Sequence, residues 1–108
     1  MREICLARLD KTRPVLVLTR EIARPAMSKV TVAPITSRVK GLSSEVRLGP
    51  ANGLDNDCAA AIDNVVTIPV ELLGRTLGFL RPDQERALAR ALVLAYDLEL
   101  PLLDTPAD

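Results

Sequence analysis

Histidine is missing altogether from these 108 residues. That removes an imidazole base, a Ser-His-Asp triad and a histidine-rich zinc site from the mechanisms open to the chain. Aromatic residues are nearly missing as well, with one Phe, one Tyr and no Trp. A sheet that binds RNA by stacking bases on exposed rings is therefore not expected. The two cysteines, Cys5 and Cys58, are far apart and fit no metal or redox spacing. They are expected as small core residues. No apolar run approaches the ~18 residues that cross a membrane. No basic-then-apolar leader opens the chain. The expectation is a soluble cytoplasmic protein, free of any membrane, folded as a single domain over residues 1–108.

Net charge is also absent, since 14 basic side chains balance 14 acidic ones. The balance hides a polarity along the chain. Residues 1–50 carry ten Lys/Arg against four Asp/Glu, and residues 51–108 carry four against ten. Two readings follow. The basic half presents an anion-binding face, or the two halves neutralise each other across one core.

Among what is present, the stretch Arg13-Pro14-Val15-Leu16-Val17-Leu18-Thr19 stands out. It is too short for a helix and valine-rich enough for a fully buried strand. Pro14 has a fixed φ and no N–H, and is expected at the strand's first position. Arg13 then sits at a rim, where a rigid element can aim a guanidinium at an anion. A plain ion pair with Asp10 is the simpler role for it.

Residues 1–10 read as a strand, joined to the Pro14 strand by the tight connection Asp10-Lys11-Thr12. Residues 20–26 contain Arg24-Pro25 and form a loop or a single helical turn. Residues 29–36 alternate as a strand, with Pro34 marking an edge or a bulge. Residues 44–48 read as an amphipathic strand, and 49–57 as turn. Residues 58–68 are strand-like but broken by Asp63-Asn64, either a turn between two strands or a bend presenting both side chains. A helical turn over 69–74, ended by glycine, precedes a last strand over 75–80. Pro82 opens a helix of about 82–97 whose Ala87, Leu88, Ala91, Leu92 and Ala95 recur at helical spacing. A frayed tail follows over 105–108. Five to seven short strands with short loops close most easily into a small barrel.

Four pieces taken in order carry more. They are Arg13-Pro14-Val15-Leu16-Val17, then Ala33-Pro34-Ile35-Thr36-Ser37, then Asp57-Cys58 through Asp63-Asn64-Val65-Val66-Thr67-Ile68, then Leu80-Arg81-Pro82-Asp83. Their order and spacing resemble the MazF (PemK/Kid) family of toxin–antitoxin endoribonucleases over about residues 2–98. The resemblance implies a mostly β, SH3-like small barrel with a short helical turn and a C-terminal helix, paired as a homodimer. It implies cleavage of single-stranded RNA at short specific sequences. The substrate is messenger RNA, with ribosomal or transfer RNA as further targets. No metal or other cofactor is needed, and the product ends are a 2′,3′-cyclic phosphate and a 5′-hydroxyl. The implied partner is a MazE-type antitoxin whose disordered tail occupies the RNA groove. By position, the family's catalytic arginine falls on Arg13, its catalytic threonine on Thr36, and an RNA-contacting amide on Asn64.

The chemistry of these residues fits that role. Attack of a 2′-hydroxyl on the adjacent phosphorus builds negative charge on the phosphorane oxygens. A fixed guanidinium and a hydroxyl donor stabilise that charge, and one such donor is worth about 10²–10³ in rate. Lys11, Arg20, Arg38 and Lys40, with the hydroxyls of Thr12 and Ser37, are candidates to hold the RNA backbone. Arginine is a poor base at neutral pH. Proton transfer then falls to a carboxylate, to water or to no residue. Asp10 and Asp63 are the nearest carboxylates, Asp63 also being a natural turn former. The chain departs from many relatives in its short 10–12 connection and in having no aromatic near its start. Two other functions share such a barrel. One is a gyrase poison of the CcdB type, whose aromatic C-terminal end is here replaced by Leu100-Pro101-Leu102-Leu103. The other is an RNA-binding barrel that does not cut. Leu100, Leu102 and Leu103 are candidates for a dimer interface.

Overall fold

The computed structural model describes residues 1–99. The leucines 100, 102 and 103 and the tail at 105–108 lie outside the described residues. Seven strands are present: β1 Glu3–Arg8, β2 Thr12–Val17, β3 Lys29–Thr36, β4 Glu45–Leu48, β5 Cys58–Ala61, β6 Val66–Pro69 and β7 Leu73–Phe79. One α-helix, α1, covers Pro82–Ala95. The strands form one antiparallel, curled sheet in the order β4-β5-β3-β2-β1-β7, with β6 also paired to β3. The small-barrel architecture expected from the short strands is what forms. It carries four short helical turns among the described residues instead of one, over Glu21–Ala26, Pro50–Asn52, Ile62–Asn64 and Val70–Leu72.

The valine-rich strands are buried on both faces, which is why they read as continuous apolar runs. Ile4, Leu16, Ala33 and Ile35 face one cluster, closed by Leu88 and Ala91 of α1. Their alternate neighbours Cys5, Val15, Val17, Val30 and Val32 face a second cluster with Ile68. Each such fully buried Leu, Ile or Val contributes roughly 1.5–3 kcal/mol. Both cysteines are free and buried, as expected. Burial pushes the Cys5 thiol up to about 11. On α1, Leu88 and Ala91 are buried while Ala87 is exposed, so the packed stripe is narrower than the sequence pattern suggested.

Both prolines sit where a partner ladder is interrupted. Pro14 is the third residue of β2, not the first. The β2–β3 ladder begins only at Val15↔Pro34, so Pro14 lies beyond it. Pro34 lies inside β3, between the β6 ladder, which ends at Val32, and the β5 ladder, which begins at Ile35. The chain turns there, over Ile62–Asn64, from one partner strand to the other. β7 begins at Leu73, so Gly74 stands inside the strand against Leu6 and does not terminate the preceding turn.

A polar clamp fixes the helix. Asn52, 1% exposed, donates to the Phe79 carbonyl at 3.0 Å and to Gln84 Oε1 at 2.7 Å. Gln84 Oε1 also accepts from the Arg81 N–H, which caps the first turn of α1. Two glycines allow the close approach behind it. Gly53 has φ +83°, and a Cβ on Gly78 would fall onto the Asn52 carbonyl oxygen. Arg2 ties the helix to β2, pairing with Glu85 at 2.8 Å and donating to the carbonyls of Val17 and Leu18. That bond holds the Glu85 carboxyl below its ordinary range.

Candidate active site

The β2–β3 register brings the two leading candidates together. Val15 pairs with Pro34 in an antiparallel ladder. Continuing that register by two residues sets Arg13 opposite Thr36. Opposed residues of an antiparallel pair project to the same face, with Cβ atoms about 4.5–5.5 Å apart. Arg13 and Thr36 do line a common concavity.

That concavity has two parts. One cleft, of about 370 Å³, runs from Arg13 and Thr36 past Arg38 and Lys40 to Ser44, Asp63 and Asn64. The other, of about 490 Å³, runs from the same Arg13, Thr36 and Arg38 past Lys11 and Ser37 to Asp55 and Asn56. Arg13, Thr36 and Arg38 form the wall that the clefts share. Thr12 is exposed at the start of β2 and lines neither cleft. Arg20 lies elsewhere, on a separate cleft with Arg2, Arg24 and Glu85. The structure does not bring it to the site.

Arg13 is held by Asp10, with Nη2 donating to Oδ2 at 2.9 Å. The second carboxylate oxygen of Asp10 accepts from the Lys11 N–H at 2.9 Å. Asp10 thus occupies the guanidinium as an anion would, at a well-exposed position. The Arg13 Nε is buried and has no hydrogen-bond partner. An orphaned donor of this kind costs about 1–3 kcal/mol, and most buried donors in folded proteins have a partner.

Thr36 ends β3 with a local turn. Its Oγ1 accepts from the Arg38 N–H at 3.0 Å. One lone pair is thereby used, and the hydroxyl hydrogen remains available to an anion in the cleft. The same bond draws Arg38 back over the site.

The loop after Arg38 is shaped by a residue that the sequence did not single out. The Glu45 carboxylate accepts three backbone N–H groups, from Lys40, Gly41 and Leu42, at 3.2, 2.8 and 3.1 Å. Gly41, at φ +79°, supplies the turn this requires. Ser44, buried, donates its hydroxyl to Asp63 Oδ2. Asp63 therefore lines the cleft with one oxygen already engaged, whereas Asp10 lines neither cleft. Asn64 points its exposed amide to the cleft with no hydrogen bond to another described residue. None of Lys11, Arg38 and Lys40 has a carboxylate within ion-pair distance among the described residues. Among the described residues no group of three or more Cys, Asp or Glu is gathered to hold a metal ion. No described helix is long and apolar enough to cross a membrane.

The arrangement offers a guanidinium, a hydroxyl donor and unpaired cations around a groove. Groups of these kinds can bind the phosphates of a nucleic-acid chain. Comparison with known proteins identifies the family. Residues 3–96 match the family described as PemK-like, MazF-like toxin of type II toxin–antitoxin system. A protein named endoribonuclease MazF3, from Mycobacterium tuberculosis, is 52% identical over 99 residues, covering 92% of this chain and 96% of its own. A solved structure, the Mycobacterium tuberculosis toxin MazF-mt6, superposes with a TM-score of 0.89 at 52% identity, over 91% of this chain and 99% of that one. An endoribonuclease in complex with its cognate antitoxin, from a mycobacterial species, shares the fold at a TM-score of 0.80 and 22% identity, over 92% of this chain and 95% of that one.

Proposed function

From the premise that this chain belongs to the PemK-like, MazF-like toxins of type II toxin–antitoxin systems, we infer that it is an endoribonuclease and that Arg13 and Thr36 carry its chemistry. The observation behind the residue assignment is that Arg13 and Thr36 both line the two clefts of the groove.

The reaction is a transesterification within single-stranded RNA. The 2′-oxygen forms a bond to the adjacent phosphorus, and the bond from phosphorus to the 5′-oxygen breaks. The products are a 2′,3′-cyclic phosphate and a 5′-hydroxyl. The RNA phosphate takes the place of the Asp10 carboxylate on the Arg13 fork. Thr36 donates its hydroxyl hydrogen to a phosphorane oxygen. Lys11, Ser37, Arg38 and Lys40 hold the backbone, and Asn64 reads a base edge. The 2′-hydroxyl proton leaves to solvent or to the free oxygen of Asp63, and a proton from solvent reaches the leaving 5′-oxygen. No step calls on a metal ion.

The chain acts as the toxin, restrained by a MazE-type antitoxin that competes with RNA for this groove. It works in the cytoplasm, where messenger RNA is found, as a homodimer. Exposed Leu94, Tyr96 and Leu98, at and after the end of α1, are apolar surface available to such an assembly.

Incubating the protein with a long RNA in EDTA and mapping the ends tests the reading. Discrete cuts with 5′-hydroxyl ends are expected, and a substrate with 2′-deoxyribose at the cut should be inert. Thr36→Ala should fold and lose about 10²–10³ in rate. Binding without products would leave an RNA-binding barrel, and inhibited supercoiling with intact RNA would indicate a gyrase poison.

A further inference from the structure

We propose that the cleft bounded by Asp55 and Asn56 is a second base-reading pocket of this nuclease, which recognises a nucleobase bearing an exocyclic amine immediately beside the scissile phosphate. The proposal rests on the nuclease reading above and adds a specificity determinant to it.

The first argument is position. Arg13, Thr36 and Arg38 are common to both clefts. A phosphate held on that shared wall sends the nucleosides on its two sides into different clefts. One is the Asn64 cleft. The other, which Lys11 and Ser37 enter as backbone contacts, has no base-reading role so far.

The second argument is the character of the walls. The floor is apolar, built from Pro14, Ile35, Leu54 and Cys58. The last three are buried, at 6, 8 and 6% exposure. Such a floor can take the flat face of a base where aromatic side chains are lacking. The polar groups stand at the edge. Asp55 and Asn56 are exposed and make no side-chain hydrogen bond to another described residue. A carboxylate at position 55 disfavours a phosphate there and accepts amine hydrogens. The Asn56 amide supplies one donor and one acceptor beside it. The pair is matched to the edge of adenine, cytosine or guanine and poorly matched to uracil, which has no amine.

The third argument is rigidity. The loop is held at both ends. Gly53 is locked against the backbone of Leu77 and Gly78, and Leu54 is anchored in the core. At the other end Cys58 enters β5, paired with Leu48. A base edge is best read by groups that do not have to be ordered first.

A pool of RNA with a randomised window, cut in EDTA and sequenced from its 5′-hydroxyl ends, tests this. Wild type, Asp55→Asn, Asn56→Ala and Arg13→Ala are compared, with circular dichroism as the check on folding. Wild type should favour amine-bearing bases over uracil at one position flanking the cut. Asp55→Asn and Asn56→Ala should each erode that preference by about tenfold, keep the preferences at other positions, and cut the preferred site more slowly. Arg13→Ala should cut nowhere. A base profile identical to wild type in both loop variants overturns this inference and leaves the nuclease reading standing. So does an equal loss of preference at every position. A pool left uncut by wild type overturns the nuclease reading, and this pocket with it.

Discussion

Consider Arg13→Met, which removes the guanidinium and keeps most of the apolar stem. Three contributions to stability change. The ion pair to Asp10 is lost, but Asp10 has 73% of its side chain exposed. Exposed pairs of this kind contribute about 0.2–1 kcal/mol. The orphaned Nε is also removed. Its burial without a partner costs about 1–3 kcal/mol, which the variant recovers. Packing of the apolar stem is kept in outline, because methionine has a similar reach. The sum runs from about zero to a gain of roughly 3 kcal/mol. Activity moves the other way. Loss of a single preorganised donor removes about 10²–10³ in rate, and here a charged fork goes with it. Urea unfolding followed by circular dichroism, beside cleavage of a short reporter RNA, measures both. The expected variant is at least as stable as wild type and inactive. A loss of more than about 1 kcal/mol would show that Arg13 serves the fold. Retention of activity within tenfold would show that it does not serve the chemistry.

RNA affinity of the slow-cleaving Thr36→Ala protein should fall with salt, and replacing Lys11, Arg38 or Lys40 by alanine should each flatten the log–log slope by about 0.7 if that cation neutralises one phosphate of a single strand. Unchanged slopes would remove those side chains from the RNA path. Gly78→Ala drives a Cβ onto the Asn52 carbonyl oxygen, and should destabilise by about 1–3 kcal/mol as the Asn52–Gln84 clamp shifts; a change within 0.5 kcal/mol, by thermal or urea melts, would refute that packing. Glu85 is held below its ordinary range by Arg2. Its contribution should be present above the unfolded carboxyl value near 4.3 and fade as pH falls through the lower folded value. The stability gap between wild type and Glu85→Gln should therefore close in acid. Glu85 is half-exposed, so the gap at neutral pH should stay below about 1 kcal/mol.

What could be read from the sequence was set by short-range patterns. Valine runs fixed β2 and β3, and a proline followed by acids fixed the start of α1. Arg13 and Thr36 are candidates through the family resemblance of the segments that hold them, and the fold sets both on the same two clefts. Arg20 is a candidate by its charge alone, and charge does not tell which cleft a residue lines. It lies beyond the other end of β2, and a strand advancing about 3.3 Å per residue carries it roughly 20 Å away. The start of β2 was misread for a related reason: Arg8↔Thr12 pairing with β1 extends the strand past the proline. Glu45, Ser44 and the Asp55–Asn56 edge were not legible at all. Each matters through a partner or a cleft that exists only once the loops close, and no periodicity announces such partners.

The charge polarity shows how the fold decides between two readings that the sequence left open. If the basic and acidic halves neutralised each other, most ion pairs would join residues from different halves. Among the described residues, Arg2–Glu85 alone does so. Arg13 pairs with Asp10, Arg24 with Glu3, and the N-terminal amine with Glu21, all within the basic half, while Arg81 pairs with Asp83 within the acidic one. The acids of the first half are thus consumed locally, and its surplus cations are left over. Three of these, Lys11, Arg38 and Lys40, line the two clefts that share Arg13 and Thr36. A net charge of zero therefore conceals a positive wall shared by two clefts, with the carboxylates Glu45, Asp63 and Asp55 set farther along them. Long-range attraction for RNA from the molecule as a whole is weak, while the local field at the shared wall is positive. Such a protein gains little from diffusing toward nucleic acid in general and holds it through a few placed contacts, which is the physical setting in which base reading beside the cut can decide where it cuts.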